Sequence, residues 1–237
     1  MDVVEWPVRA GPAAARVVGV VGARGGVGAS VLAAGVAQRL SRSTATALVS
    51  LDRSSAGVDL LLGLEQVPGG RWPDLAGARG EVRGADVVAL LPRWGACAVL
   101  GPDGSGLPDE VVVRDVLRGL GSTLGALVLD LDRGDVLAGG APPCDVVVLV
   151  VPRDLAGVAG ALALLGRVGQ VPVVLVVRGP GPGGMGAAEV GRALGLSVAA
   201  SWRDDARVTT SVEHGGLRVA GRTGRVVGAV VRAVVAG

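Results

Sequence analysis

The sequence VVGVVGARGGVGASVLAAGVAQRL, residues 17–40, decides the fold of this 237-residue chain. A valine-rich run enters a glycine-rich turn, and a run of alanine, leucine and valine with helical character leaves it. Such a turn presents backbone N–H groups at the N-terminus of a helix, where they bind anions. Its glycines let the backbone approach a phosphate group closely. The stretch therefore predicts a strand, a phosphate-binding loop and a helix in succession.

Two nucleotide-binding motifs compete for this loop. The dinucleotide fingerprint G-x-G-x-x-G fails, because Val31 occupies the position of its third glycine. The P-loop motif G-x-x-x-x-G-K-[ST] fits better, with Ala23 at the first glycine position and Ser30 as the magnesium-binding hydroxyl. Ala29 stands where the motif has its phosphate-binding lysine, and all 23 basic residues of the chain are arginines. The loop therefore predicts a phosphate cradle without its usual cation.

Short valine- and leucine-rich runs alternate with helical patterns along the rest of the chain. This alternation predicts an α/β domain of the P-loop NTPase type, with a mostly parallel, twisted sheet of seven or eight strands and helices on both faces. Two glycine- and proline-rich stretches, residues 67–80 and 178–186, are interpreted as surface loops. The expected strands cover residues 16–22, 46–52, 97–101, 125–132, 145–152, 171–178 and 196–200. The expected helices cover residues 30–40, 108–120, 155–168, 186–194, 205–214 and 224–235.

The composition of the chain indicates which partners and which cellular compartment to expect. The net charge is +2 and the pI is about 9.0, a basic balance too small to indicate a nucleic-acid or membrane partner by itself. Two cysteines, Cys97 and Cys144, lack metal-binding spacing and suit a reducing cytoplasm. No uncharged apolar run reaches the length of a membrane span. The absence of Phe, Tyr, Ile, Asn and Lys indicates a GC-rich genome, such as those of actinobacteria. We expect a cytoplasmic protein.

The segment ARGGVGAS, residues 23–30, resembles the deviant P-loop K-G-G-x-G-K-[ST] of the MinD/ParA family, with Arg24 at the signature lysine. The similarity continues along residues 16–237. Asp52, in VSLDRSSAGVDLLLGLE, matches the switch-like aspartate of the family, and Asp130, in LVLDLD, matches the acidic residue of the Walker B strand. Arg178, in VVLVVRG, stands where the family often has an adenine-reading asparagine. Two loop segments, PGGRWPDLAGARGEV (residues 68–82) and VVRGPGPGG (residues 176–184), resemble the CpaE/TadZ-like branch, to which the chain is most similar within the family.

The resemblance implies a site for ATP and magnesium. The residues that it assigns to the cofactor are Arg24, Gly25, Gly26, Val27, Gly28, Ala29, Ser30, Val31 and Arg178. It implies magnesium binding by Ser30, Asp52 and Asp130, and weak catalytic roles for the two aspartates. Members of this branch act in septum site determination or occur beside Flp-type pilus and secretion components, and many carry an N-terminal receiver-like domain. Residues 1–15 are accordingly expected to be a tether or the stub of such a domain, and residues 16–237 the P-loop domain.

Ala29 argues against rapid hydrolysis. In an intact P-loop, the lysine neutralises charge on the transferred phosphate, and losing one such contact reduces the rate by roughly 10²–10³-fold. In the family, the signature lysine reaches the nucleotide of a partner subunit. Arg24 keeps a cation there, with a fork that suits phosphate. We therefore expect a nucleotide-stabilised homodimer that turns over slowly or never.

Three functional hypotheses remain open. The first is a weak ATPase that positions cell-division or pilus and secretion proteins, with peripheral contact at the inner face of the membrane, the pole or the septum. The second is a pseudo-ATPase scaffold that works through protein contacts alone. The third is a ParA-like DNA-binding protein, which we do not expect because its arginines are spread along the chain. These arginines are Arg203, Arg207, Arg218, Arg222 and Arg225. The final stretch, residues 222–237, is predicted to pack on the sheet rather than to enter a membrane.

Overall fold

A computed structural model describes residues 14–53, 57–104 and 106–236. Within these ranges, eight strands form one sheet in the order β3-β4-β2-β5-β1-β6-β7-β8. Neighbouring strands are parallel, except that β3 and β4 form an antiparallel pair. The strands are β1 (Arg16–Gly22), β2 (Thr46–Ser50), β3 (Arg93–Trp94), β4 (Cys97–Leu100), β5 (Ala126–Asp130), β6 (Val146–Pro152), β7 (Val173–Arg178) and β8 (Val198–Trp202).

Helices cover both faces of the sheet. They are α1 (Ala29–Leu40), α2 (Val58–Leu62), α3 (Gly84–Leu90), α4 (Glu110–Thr123), α5 (Arg133–Ala138), α6 (Leu155–Val168), α7 (Ala187–Leu194), α8 (Ala206–Glu213) and α9 (Gly221–Ala236), with a short 3₁₀ helix at Trp72–Leu75. Buried side chains of α1, α2 and α9 form one core layer, and those of α3 to α7 form the other. The predicted fold class, a mostly parallel sheet covered by helices on both faces, is confirmed.

The central strands explain the apolar runs of the sequence. Alternate residues of β1 face opposite layers: Val17 and Val21 pack in one core, and Val18 and Val20 in the other. A strand buried on both faces needs apolar side chains at every position, so it has no alternation of polar and apolar residues. Every residue of β6 is buried for the same reason.

Helix α9 packs on the sheet, as predicted. Its valines at 226, 227, 230 and 234 are buried, and it lies against α1 and β8. A β-carbon placed on Gly35 of α1 would lie 2.6 Å from Cγ2 of Val227, so the absence of a side chain at Gly35 allows the two helices to approach closely. Among the described residues, no helix combines the length and hydropathy that crossing a bilayer requires.

The interpretation of residues 67–80 as a surface loop holds for most of the segment but is wrong for Arg71, Trp72 and Leu75, which are buried. Trp72 is fully buried and opens the 3₁₀ helix, and its Nε1 donates a hydrogen bond to the Ser50 carbonyl at 2.8 Å. Arg71 is 8% exposed, because its guanidinium pairs with Asp59 and donates to the carbonyls of Leu64, Val67, Gly69 and Gly70. Glycine and proline indicated a turn correctly, but a tryptophan and an arginine with buried partners anchor it to the core.

Several element bounds also differ from the predictions. Helix α2 lies in the segment VDLLLGLE, where the family resemblance implies a helix, whereas α3, α5 and the hairpin strand β3 were not predicted, and β8 lies two residues later than expected. The expected N-terminal tether lies outside the described residues, apart from Ala14 and Ala15. Ala15 is buried, and its N–H donates a hydrogen bond to the Gly121 carbonyl at 2.8 Å. The sheet domain therefore includes Ala15.

Candidate functional site

The loop between β1 and α1 forms an open cradle of backbone. Gly26 and Gly28 adopt positive φ angles of 73° and 84°, which L-residues with side chains rarely adopt. Gly28 is the N-cap of α1, and it has no side chain with which to cap this helix end. The first N–H groups of a helix have no partner within the helix, so those of α1 are available to an anion in the cradle.

A pocket of about 420 Å³ opens over this loop, at the carboxyl ends of β1 and β5. The carboxyl ends of parallel strands are where α/β sheets place their ligands. Eight of the nine residues predicted to bind the cofactor line this pocket together with both predicted aspartates, and Arg178 is the exception. The lining residues are Gly22, Arg24, Gly25, Gly26, Val27, Gly28, Ala29, Ser30, Val31, Asp52, Gly57, Leu60, Leu61, Asp130, Leu131, Arg133 and Val212.

Asp130 is the buried acid of the pocket. It is 2% exposed, at the last position of β5. Burial raises the pKa of Asp130 to about 7; the hydrogen bond from Ser30 opposes the increase, and the charges of Asp52 and Asp132 add to it. Desolvation disfavours the ionised carboxylate, and a cation beside it would favour ionisation. The binding of a cation beside Asp130 and the loss of its proton would therefore be coupled.

The oxygen atoms of the pocket suit magnesium. A hydroxyl and carboxylates are hard ligands, and magnesium usually binds one or two protein carboxylates together with substrate phosphates. In the described ranges, no group of three or more His, Cys, Asp or Glu residues could hold a metal by itself. Ser30, Asp52 and Asp130 therefore fit a magnesium ion that arrives with a phosphate-bearing ligand. Ala29 contributes a methyl group and no charge.

Arg24 forms an ion pair within its own chain. Its Nη2 lies 3.0 Å from Oδ2 of Asp154, the N-cap of α6, whose side chain also accepts a hydrogen bond from the Gly157 N–H at 2.7 Å. The Arg24 side chain is 52% exposed, so it remains accessible from outside the pocket. The sequence did not indicate this pairing, because Asp154 lies 130 positions away.

Arg178 packs beneath the loop instead of lining the pocket. Its guanidinium stacks over the Trp202 ring, 4.0 Å from the centroid, and its Nη2 lies 3.3 Å from Oδ1 of Asp204. A β-carbon on Gly28 would collide with this guanidinium and would lie 3.2 Å from the Trp202 ring. The arginine therefore supports the last glycine of the cradle, a role that the sequence did not suggest.

Sequence reasoning missed two parts of the pocket. One is Arg133, the first residue of α5. The other is an apolar wall formed by Leu60, Leu61 and Val212 from α2 and α8. Arg133 stands three residues after Asp130, and this short spacing was the one signal available for it.

Comparison with known sequences finds uncharacterized proteins of Mycobacterium tuberculosis as relatives. No family model matches the chain. The uncharacterized protein Rv3660c of Mycobacterium tuberculosis (strain H37Rv) is 39% identical over 212 residues, which cover 87% of this chain and 60% of the relative. The uncharacterized protein MT3760 of strain CDC 1551 / Oshkosh matches to the same extent. The chain thus spans about 60% of the length of these relatives.

Comparison with solved structures identifies the fold. A ParA family ATPase from Chlorobium tepidum has a TM-score of 0.73 and 14% identity, covering 94% of this chain and 98% of its own. The MinC:MinD cell division complex of Aquifex aeolicus gives 0.75 and 15%, covering 94% and 96%. MinD of Pyrococcus horikoshii, complexed with Mg-ADP, gives 0.70 and 15%, covering 94% and 98%. The chain therefore has the fold of the MinD/ParA P-loop ATPases.

Proposed function

We propose that this chain binds ATP with magnesium in the P-loop pocket, hydrolyses it little or not at all, and acts as a spatial-positioning protein. One observation carries the proposal. A single pocket combines the backbone cradle of residues 24–28 with Ser30, Asp52 and Asp130, while Ala29 replaces the P-loop lysine. Groups that would hold a nucleotide are present, and the lysine that drives phosphoryl transfer in the P-loop motif is missing.

Different groups in the pocket would bind the phosphates and the magnesium ion. Backbone N–H groups of the loop and of the first turn of α1 would donate hydrogen bonds to phosphate oxygens. The Ser30 hydroxyl and the carboxylates of Asp52 and Asp130 would hold magnesium, which would neutralise phosphate charge when bound. The methyl group of Ala29 can donate no hydrogen bond to a phosphate. Binding is therefore favoured over catalysis.

Arg24 connects the pocket to dimerisation. In one chain, it pairs with Asp154 at the start of α6, and its side chain is half exposed. We propose that it exchanges this partner for a phosphate of the nucleotide in a facing subunit. The exchange would then require breaking the ion pair between Arg24 and Asp154, and the strength of that pair would determine its free-energy cost. Nucleotide that binds the dimer alone stabilises it by mass action.

We infer the biological role by analogy with proteins that have the same fold. Solved structures with this fold include cell division proteins and a plasmid partition protein from Borrelia burgdorferi. For this chain, we propose positioning of septum or Flp/Tad pilus and secretion components, with peripheral contact at the inner face of the membrane, the pole or the septum. The resemblance of the loop segments to the CpaE/TadZ-like branch supports this assignment.

A second candidate is a scaffold that needs no nucleotide. Two observations favour it. Asp154 already compensates Arg24 within the chain, and burial raises the pKa of Asp130 to about 7, so a large fraction of this group is neutral at neutral pH. Without a ligand, Arg24 is thus paired with a carboxylate and Asp130 is partly protonated, so neither group needs a nucleotide or a metal ion to compensate its charge.

One experiment separates the two candidates. Purified protein is titrated calorimetrically with ATP in magnesium and in EDTA, and phosphate release is measured in parallel. The first candidate predicts saturable binding that magnesium strengthens, with release near background. Absence of binding in both buffers would favour the scaffold, and rapid phosphate release would contradict both.

A further inference from the structure

The P-loop pocket contains a cation that the motif does not provide. Of the described residues that line it, Arg24 and Arg133 carry positive charge. Arg24 is directed to Asp154 on α6, at 3.0 Å. The chain has no lysine, so any phosphate-binding cation within the pocket itself must be an arginine. Arg133 is the remaining candidate.

The start of α5 fixes the position of Arg133. Its neighbour Asp132 caps the helix and accepts hydrogen bonds from the N–H groups of Gly134, at 2.6 Å, and Asp135, at 3.1 Å. This cap holds the Arg133 backbone three residues beyond Asp130. The cap fixes the backbone of the first turn of α5, and therefore the point from which the Arg133 side chain extends.

The side chain of Arg133 reaches back to the P-loop. Its Nε donates a hydrogen bond to the carbonyl of Ala23, at 3.0 Å, where the loop begins. Within the described part of the chain, neither Nη atom of Arg133 has a hydrogen-bond or ion-pair partner. The guanidinium is therefore anchored at one nitrogen, and its two other nitrogens remain available to a ligand in the pocket.

We propose that Arg133 supplies the phosphate-binding cation that Ala29 removes from the P-loop, an inference that rests on the proposed nucleotide binding. A guanidinium fork donates paired hydrogen bonds to phosphate oxygens, and such charge-assisted bonds are stronger than neutral ones. The cation would come from the start of α5, just after β5, rather than from within the P-loop. The ligand class is the polyphosphate of a nucleoside diphosphate or triphosphate.

A charge-matched titration tests this assignment. ATP, ADP and AMP are titrated with magnesium into the wild type, Arg133→Ala and Arg39→Ala. Arg39 is exposed in the last turn of α1, away from the pocket, and its loss changes net charge equally. We expect Arg133→Ala to weaken ATP binding at least tenfold, about 1.4 kcal/mol, and to affect AMP less. Arg39→Ala should bind like the wild type.

A double-mutant cycle separates charge from loop support, since Arg133 also holds the Ala23 carbonyl. Ala29→Lys restores a cation at the motif position. If Arg133 provides the same charge, Arg133→Ala should cost several-fold less ATP affinity in the Ala29→Lys background than in the wild type. An equal loss in both backgrounds would assign Arg133 to loop support and overturn the proposal.

The outcomes distinguish this inference from the proposed function. If the wild type binds ATP and Arg133→Ala binds it equally well, the Arg133 assignment is wrong and the proposed function stands. If the wild type binds none of the three nucleotides, the proposed function fails and this inference fails with it.

Discussion

Arg24 of the P-loop and Asp154 at the start of α6 form an ion pair, with 3.0 Å between Nη2 and Oδ2. The pair joins the loop to the neighbouring helix within one chain. Its two side chains are 52% and 24% exposed, so solvent screens the attraction and its contribution to stability is small. A weak pair of this kind can exchange partners when a stronger anion, such as a phosphate, becomes available.

The first prediction concerns this exchange. Asp154→Asn keeps an oxygen that can accept the capping hydrogen bond from Gly157, but removes the charge that holds Arg24. We expect the variant to dimerise at lower ATP concentration than the wild type, and Arg24→Ala to lose the ATP-induced shift while remaining folded. Sedimentation velocity with and without ATP and magnesium measures both effects.

Arg192→Ala serves as the control, because Arg192 lies on α7 in an exposed pair with Glu189. It should behave like the wild type. If wild type, Asp154→Asn and Arg24→Ala all sediment as monomers in ATP, Arg24 has no part in assembly.

The second prediction concerns turnover. Ala29→Lys places an ammonium group at the start of α1, where the P-loop motif has its lysine. We expect phosphate release to rise from near background by about 10²-fold, because the lysine stabilises charge in the transition state. A phosphate-release assay measures the change.

Ala29→Met has a side chain of similar length without the charge and should remain at background. Equal, low rates for Ala29→Lys and Ala29→Met would mean that the missing lysine is not what limits hydrolysis.

The third prediction uses the raised pKa of Asp130. The folded-state pKa is about 7, against an ordinary value of 3.8. Between these values the folded protein binds a proton that the unfolded chain has lost, so the free energy of unfolding falls as pH rises, and the whole decrease is present above pH 7. Asp130→Asn lacks this titration. From pH 5 to pH 8, the variant should gain about 2–3 kcal/mol relative to the wild type.

Urea unfolding in EDTA at pH 5, 6, 7 and 8 measures this difference. Asp86→Asn is the control, because Asp86 lies in an exposed pair on α3. If the curves of wild type and Asp130→Asn run parallel with pH, Asp130 is ionised in the folded protein throughout this range.

The fourth prediction concerns the anchor at Arg71. Its guanidinium is buried against Asp59 and four carbonyl groups, so Arg71→Ala leaves a carboxylate and several oxygens without their donor. Breaking a buried pair in this way costs about 3–5 kcal/mol of stability. Arg83→Ala breaks an exposed pair and should cost less than ~1 kcal/mol. Denaturant unfolding compares them, and equal costs would contradict the buried role of Arg71.

The sequence predicted the sheet and the P-loop well, because both leave strong local patterns. Residues of β1 and β6 are buried on both faces and therefore appear as continuous valine-rich runs. The short elements α3, α5 and β3 were missed, since two to seven residues are too few to establish a helical period or an alternation.

The pocket was predicted only where the motif has fixed spacing. Ser30, Asp52 and Asp130 stand at motif positions, and the sheet brings them to one pocket. Arg133 belongs to no motif of the P-loop; its short spacing from Asp130 was the one signal in the sequence, and its place in the pocket became evident only with the start of α5. The partners of Arg24 and Arg178 come from distant segments, and a single sequence contains no local signal for such contacts.

The central claim is that a P-loop without its lysine still binds ATP and keeps it. The most direct test is calorimetric titration of the wild type and Ser30→Ala with ATP and magnesium, followed by nucleotide analysis of the sample after an hour. The account predicts saturable binding by the wild type, binding weakened at least several-fold in Ser30→Ala, and ATP recovered intact. Lack of saturable binding by the wild type at millimolar ATP, or recovery of the nucleotide as ADP, would contradict it.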